Sequence, residues 1–147
     1  MLQDYLKLNK NIIIAILSSI FLSATIAQLL VDQSDILNST YTTIADYSIY
    51  FSVFGILYYF DHRKKYRTKS GDLDSVKLKH DLIKLITSLG IAEVVYTIAR
   101  WGFQYYFLTI EYDPYLASII SQSISAVIFL LVVNLNVKIV RLYKDGN

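Results

Sequence analysis

Apolar positions fall into four long blocks, set apart by two short polar stretches and one long one. A helix needs about 20 predominantly apolar residues to cross a bilayer. Residues 11–31, 41–60, 85–108 and 115–137 each have that length. The first reads "NIIIAILSSIFLSATIAQLLV", the second "YTTIADYSIYFSVFGILYYF" and the fourth "YLASIISQSISAVIFLLVVNLNV". Thr42, Thr43 and Asp46 dilute the start of the second. The pattern predicts an all-α polytopic membrane protein, with one transmembrane domain over 1–147 and four helices arranged as two hairpins. Residues 1–10, "MLQDYLKLNK", read either as an amphipathic lead-in at the membrane surface or as an unstructured tail. No clear A-x-A site follows the first block, which is too long for a signal core, so it is expected to be retained.

Charge orients the helices. Thirteen of the fourteen Lys and Arg residues fall before the first block, between the second and third, or after the fourth. The other two loops carry only Asp32, Asp35, Glu111 and Asp113. Basic residues stay on the cytoplasmic side of a membrane. Both termini and the basic 61–84 loop are therefore expected in the cytoplasm, in a multi-pass protein of the plasma membrane. Asn38-Ser39-Thr40 on the predicted outer face makes Asn38 a candidate glycosylation site. Asp113 and Pro114 suit a helix start. Tyr41, Tyr58, Tyr59, Tyr105, Tyr106, Tyr112, Tyr115, Tyr143 and Trp101 form an interfacial aromatic belt.

Composition narrows the chemistry. Apolar residues make up 54% of the 147, and there is no cysteine. Disulfides, thiol catalysis and cysteine-based zinc sites are thereby excluded. His62, His80, Asp61 and Asp81 offer the one route to a mixed metal site, and read instead as solvated surface residues, so no metal or cofactor is expected. No H-E-x-x-H, G-x-S-x-G, P-loop or paired-carboxylate arrangement occurs, and no catalytic activity is expected. In the long basic loop, Arg63, Lys64, Lys65 and Arg67 are candidates for anionic-lipid contact, at roughly 1 kcal/mol each. Alternatively they only set topology. Asp72, Asp74 and Asp81 in and beside the same loop argue against nucleic acid.

Polar residues inside the blocks carry the remaining signal. Gln28, Asp46, Arg100 and Gln122 lie fifteen to eighteen residues above the basic or acidic end of their helices. At about 1.5 Å per residue they share a level roughly 22–27 Å up. Such residues face a bundle interior or a water-filled cavity. Asp46 is expected to pair with Arg100, with the two glutamines filling the remaining hydrogen bonds. Glu93 lies about 13 Å up, on the same helix face as Arg100. The set Glu93, Arg100, Asp46, Gln28 and Gln122 is either a clamp that fixes helix register or a site for an anionic or sugar headgroup. Small residues at three- or four-residue spacing (Ser18, Ser19, Ser23, Ala27; Ala117, Ser121, Ser125) predict close helix approach.

Short matches hint at an internal repeat: "TIAQ" (25–28) with "TIAR" (97–100), and "YSI" (47–49) with "QSI" (122–124). The stretches "KLKHDLIKLITSLGIAEVVYTIAR" and "DPYLASIISQSISAVIFLLVVNLNVKIV" then resemble the GtrA-like family of small four-helix membrane proteins. The first matches its basic lead-in and amphipathic hairpin start. The second matches its polar-faced helix ending with Asn near a basic residue, here Asn134, Asn136 and Lys138. The second block ends "YYFDHRKKY", where that family has an Asn-Arg-aromatic ending. The resemblance implies a flippase-like role in moving or handling polyprenyl-linked sugars for cell-surface glycans, without catalysis. The alternative is a non-catalytic accessory subunit of a larger membrane complex. The aromatic residues Tyr47, Tyr50, Phe51, Phe54 and Tyr58 are then a contact surface, or else lipid-facing. An enzyme using Glu93 as a base lacks a second catalytic group. Four short spans make a thin bundle, so a homo-oligomer or partner subunits are expected beside the lipid bilayer.

Overall fold

The computed structural model describes residues 2–140, with side chains for 3–135. Arg141, Tyr143 and Lys144 lie outside the described residues, as do the side chains of Asn136 and Lys138. The described residues form five α-helices: α1 (Leu2–Leu29), α2 (Asp35–His62), α3 (Ser75–Ser88), α4 (Gly90–Thr109) and α5 (Pro114–Val140). A 3-10 turn, Arg63–Tyr66, follows α2. Among the described residues, two helices are long and apolar enough to cross a membrane: α1, with mean hydropathy 2.2, and α5, with 2.3. The α3–α4 pair is a third if it counts as one span, bent by 64° at its break. The 28-residue α2 does not join them, and the polar residues that dilute it (Asn38, Ser39, Thr42, Thr43, Asp46) are all buried.

Three boundaries differ from those expected. Helix α1 runs without a break through residues 2–10, so the segment is not an unstructured tail. The Tyr5 hydroxyl donates to the Asn134 amide oxygen of α5, and Leu8 belongs to the core. Helix α2 starts at Asp35 rather than 41. Ser34 is extended and its side chain accepts from Leu37 N, a cap that starts the helix early. The 61–84 segment is not simply a loop. Asp74 caps α3 by accepting from Lys77 N at 3.0 Å, and α3 closes at Leu89, whose side chain is 1% exposed. Helix α4 then begins at Gly90, a weak helix former that suits the corner.

The four long helices form a ring. Helix α1 packs on α2 and α5, and α4 packs on α5; α2 and α4 meet along a thinner seam. Most of the small-residue stripes are buried: Ser19, Ser23, Ala27, Ala117, Ser121 and Ser125 are all 0% exposed, while Ser18 is only half-buried. Of the α2 aromatics expected to form one surface, Tyr50 and Phe54 are buried, and Tyr47, Phe51 and Tyr58 are half-buried. Tyr50 stacks on Phe54 at 6.0 Å and meets Phe129 of α5 edge-on at 6.2 Å, in the core. Their burial follows from position, since Tyr50 and Phe54 are one turn apart on the inward face.

The α4–α5 connection is tight. Glu111 takes φ 63°, a left-handed conformation unusual for a residue with a Cβ. Asp113 accepts from Tyr115 N at 3.0 Å and so caps α5.

Candidate functional site

The buried polar cluster is built from all four long helices. Asp46 on α2 is 1% exposed and Arg100 on α4 is 0% exposed. They face each other, with Arg100 Nε 3.5 Å from Asp46 Oδ2. The carboxylate also accepts from Tyr96 at 2.5 Å and from Gln122 Nε2 at 2.6 Å. Gln122 on α5 donates in addition to Ser19 at 2.6 Å and accepts from Ser23 at 2.7 Å, which ties in α1. The guanidinium donates to Gln104, to Ser121 at 3.0 Å and to Ser118 at 2.9 Å. Buried polar groups are costly unless partnered, and here partners arrive from every neighbouring helix, although Arg100 Nε meets Asp46 only as an ion-pair contact and makes no hydrogen bond.

The network continues towards the loop end. Gln104 Nε2 donates to Asn38 Oδ1 at 3.0 Å. Asn38 Nδ2 donates to the carbonyls of Ala27 at 2.9 Å and Leu30 at 3.0 Å. Asn38 is therefore not a loop residue open to a glycan. It lies in the first turns of α2, is 2% exposed and satisfies carbonyls at the end of α1.

Two members of the expected layer sit elsewhere. Gln28 is exposed and accepts from Tyr115 N at 3.2 Å, joining the end of α1 to the start of α5. Glu93 is half-buried and does not touch Arg100. The two are nearly two turns apart, and the short Glu side chain turns instead toward a small central cavity with Ile16, Tyr50, Tyr96 and Phe129. Tyr47 fixes this stretch of α4, donating to the Glu93 carbonyl at 3.0 Å and bonding Thr97. Gln104, Asn38, Ser118 and Tyr96 are members that the depth count did not find. Gln104 was within reach, because it is four residues beyond Arg100 on the same face.

At the α3 end, the basic segment is partly engaged by protein. Lys65 donates to Asp81 at 2.6 Å and Tyr66 donates to it at 2.8 Å. The Lys65 hydrogen bond, helped by Tyr66, holds the Asp81 carboxyl down at about 2. Arg63, Lys64 and Arg67 are exposed. A polar groove of about 340 Å³ opens there, lined by Tyr58, His62, Lys65, Asp81, Lys84 and Ser88 among others. Lys10 and Asn11 hold Asp61 at 3.1 and 3.0 Å, fastening α1 to the end of α2. Among the described residues, no group of three His, Cys, Asp or Glu is placed to hold a metal ion.

The buried cluster links helices through a charge pair, and the α3 groove presents cations to whatever lies at that end of the bundle. Comparison with family models, with curated proteins and with solved structures finds no match to this chain.

Proposed function

We propose that this chain is a non-catalytic integral membrane protein that acts as an accessory or structural subunit of a membrane assembly. It crosses the plasma membrane four times, with both termini and the 61–84 segment in the cytoplasm. The observation that carries the reading is the closure of the polar cluster. Arg100, Gln104, Ser118, Ser121 and Gln122 are each 0% exposed. A guanidinium held this way works as a fastener between helices, not as a receptor for a headgroup. The segregation of basic residues supports the orientation. The inward turn of the polar residues of α2 supports its crossing, since their cost in hydrocarbon is met inside the bundle. Contacts with other chains then fall to the outer faces. On α4, Ile98, Ala99, Gly102, Phe103 and Tyr106 line an apolar groove of about 320 Å³, and a Cβ at Gly102 would meet no atom within 4 Å. Small-residue grooves of this kind suit a helix from another subunit or a second copy.

The second reading is GtrA-like handling of a polyprenyl-linked sugar, and the α3 groove favours it. Lys65, Lys84 and His62 stand there at the level where an amphipathic helix would meet lipid phosphates. Purification in mild detergent with mass spectrometry of co-purifying species separates the two. Other membrane proteins in fixed ratio support the subunit reading. A monomer or homo-oligomer carrying polyprenyl lipid overturns it in favour of the carrier. Single cysteines placed at 33, 70 and 112 test the topology, with no native cysteine to interfere. Label from outside should reach 33 and 112 but not 70.

A further inference from the structure

The fastener leaves one carboxyl out. Glu93 Oε1 is buried and has no hydrogen-bond partner. Its side chain lines a central cavity of about 10 Å³ with Ile16 of α1, Tyr50 of α2, Tyr96 of α4 and Phe129 of α5. A void of that size is about one water. None of the residues lining it is basic. Arg100, the one basic residue within the four apolar blocks, is engaged by Asp46, Gln104 and the serines of α5.

The groups facing Glu93 can be taken helix by helix. Helix α1 presents Ile16 and helix α5 presents Phe129, both hydrocarbon. Helix α2 presents Tyr47 and Tyr50. The Tyr47 hydroxyl bonds the Glu93 carbonyl and Thr97 and also lies against the Glu93 carboxyl. Tyr50 lines the cavity and is 7% exposed. On α4 itself, the ring of Tyr96 lines the cavity while its hydroxyl donates to Asp46. One tyrosine thus separates the two carboxyl groups. Asp46 has a cation facing it and Glu93 has none.

We propose that Glu93 is an intramembrane proton-binding site. The carboxyl holds a proton when the bundle is closed, and its O–H points into the central cavity toward the Tyr50 hydroxyl or a single water. A charged carboxylate there would lose much of its hydration without a counter-ion to offset the loss. A metal cation does not fit. Hard cations take several oxygen ligands, and this lining offers one carboxyl and one phenol amid rings and an isoleucine. The thinner α2–α4 seam is the route by which the proton exchanges. Loss of the proton puts an unpaired charge on α4 one turn from Tyr96 and nearly two turns from Arg100. It therefore draws water into that seam and loosens it. The site is independent of whether the protein is a subunit or a carrier.

The test is labelling of the membrane-embedded full chain with dicyclohexylcarbodiimide, which adds to protonated carboxyl groups in apolar surroundings, read by peptide mass spectrometry. The expected result is modification of Glu93 that falls as pH rises, is absent in Glu93→Gln, and is not blocked by sodium. Protection by sodium at constant pH overturns the proposal in favour of a cation site. Infrared difference spectra, wild type minus Glu93→Gln, give a readout that needs no reagent access. A neutral-carboxyl C=O band that disappears at high pH supports the site. A carboxylate band at all pH values overturns it. Tyr50→Phe keeps the ring and packing, and is expected to shift the pH midpoint of that band. An unmoved midpoint overturns the assignment of Tyr50 as the proton's neighbour.

Discussion

Replacing Arg100 by methionine keeps the hydrocarbon stem and removes the charge. The change deletes the guanidinium's hydrogen bonds to Gln104, Ser121 and Ser118 and its 3.5 Å contact with Asp46. Interhelical hydrogen bonds in membranes average about 0.6 kcal/mol, so the two bonds to α5 alone contribute about 1 kcal/mol, the Gln104 bond being within α4. Stranding the partner adds more, and breaking a buried pair from one side costs about 3–5 kcal/mol. Asp46→Asn strands Arg100 in the same way, but leaves Tyr96 and Gln122 facing a neutral amide. The double variant strands neither charge. Its destabilisation should therefore fall short of the sum of the singles by about 2 kcal/mol, well beyond the roughly 0.3–0.5 kcal/mol scatter of independent sites. The assay is reversible unfolding of the four proteins in mixed micelles, titrated with dodecyl sulfate and followed by helix signal. Additivity within about 0.5 kcal/mol would refute the argument. It would mean that water already solvates both groups and that the cluster is an open site.

Three further outcomes follow from other parts of the structure. Glu111→Gly should raise stability by about 1 kcal/mol, because the left-handed φ of 63° strains any residue with a Cβ; an unchanged or lower unfolding midpoint contradicts this. Asn38 should carry no glycan when the chain is made in a glycosylating membrane, and Asn38→Ala should cost about 1–3 kcal/mol by leaving buried carbonyls and Gln104 without a partner; a glycosidase-sensitive gel shift contradicts the burial. The Asp81 carboxyl is held at about 2, below its ordinary 3.8. A depressed carboxyl stabilises the fold above its unfolded value, and that contribution disappears as pH falls through the folded value. Protease protection of the 63–81 segment should therefore be full at neutral pH and lost as pH falls from about 4 towards about 2. Asp81→Asn should abolish that pH dependence; its persistence would refute the role of the Lys65 contact.

The helical class and the pairing of Asp46 with Arg100 were legible in the chain. Both rest on strong local signals. Long apolar blocks admit little but helix, and a guanidinium inside such a block has to find a counter-charge. The buried stripes of Ser19, Ser23 and Ala27, and of Ala117, Ser121 and Ser125, were legible for the same reason, since helical spacing alone puts them on one face.

Rotation and reach were not legible. Depth along a helix places Gln28 level with Gln122, but only packing shows that Gln28 turns outward to Tyr115 while Gln122 turns inward to Asp46. Hydropathy places the second block at 41, and the fold starts α2 at Asp35 because Ser34 caps it and Asn38 can satisfy the end of α1. The break at Leu89 likewise depends on a side chain buried in the finished core. The sequence by itself determined which residues are apolar enough to form helices and which charges must be compensated, because both are local free energies. The tertiary structure alone decided which partner each polar group meets, and which carboxyl is left without one, because those depend on the azimuth of four helices packed at once.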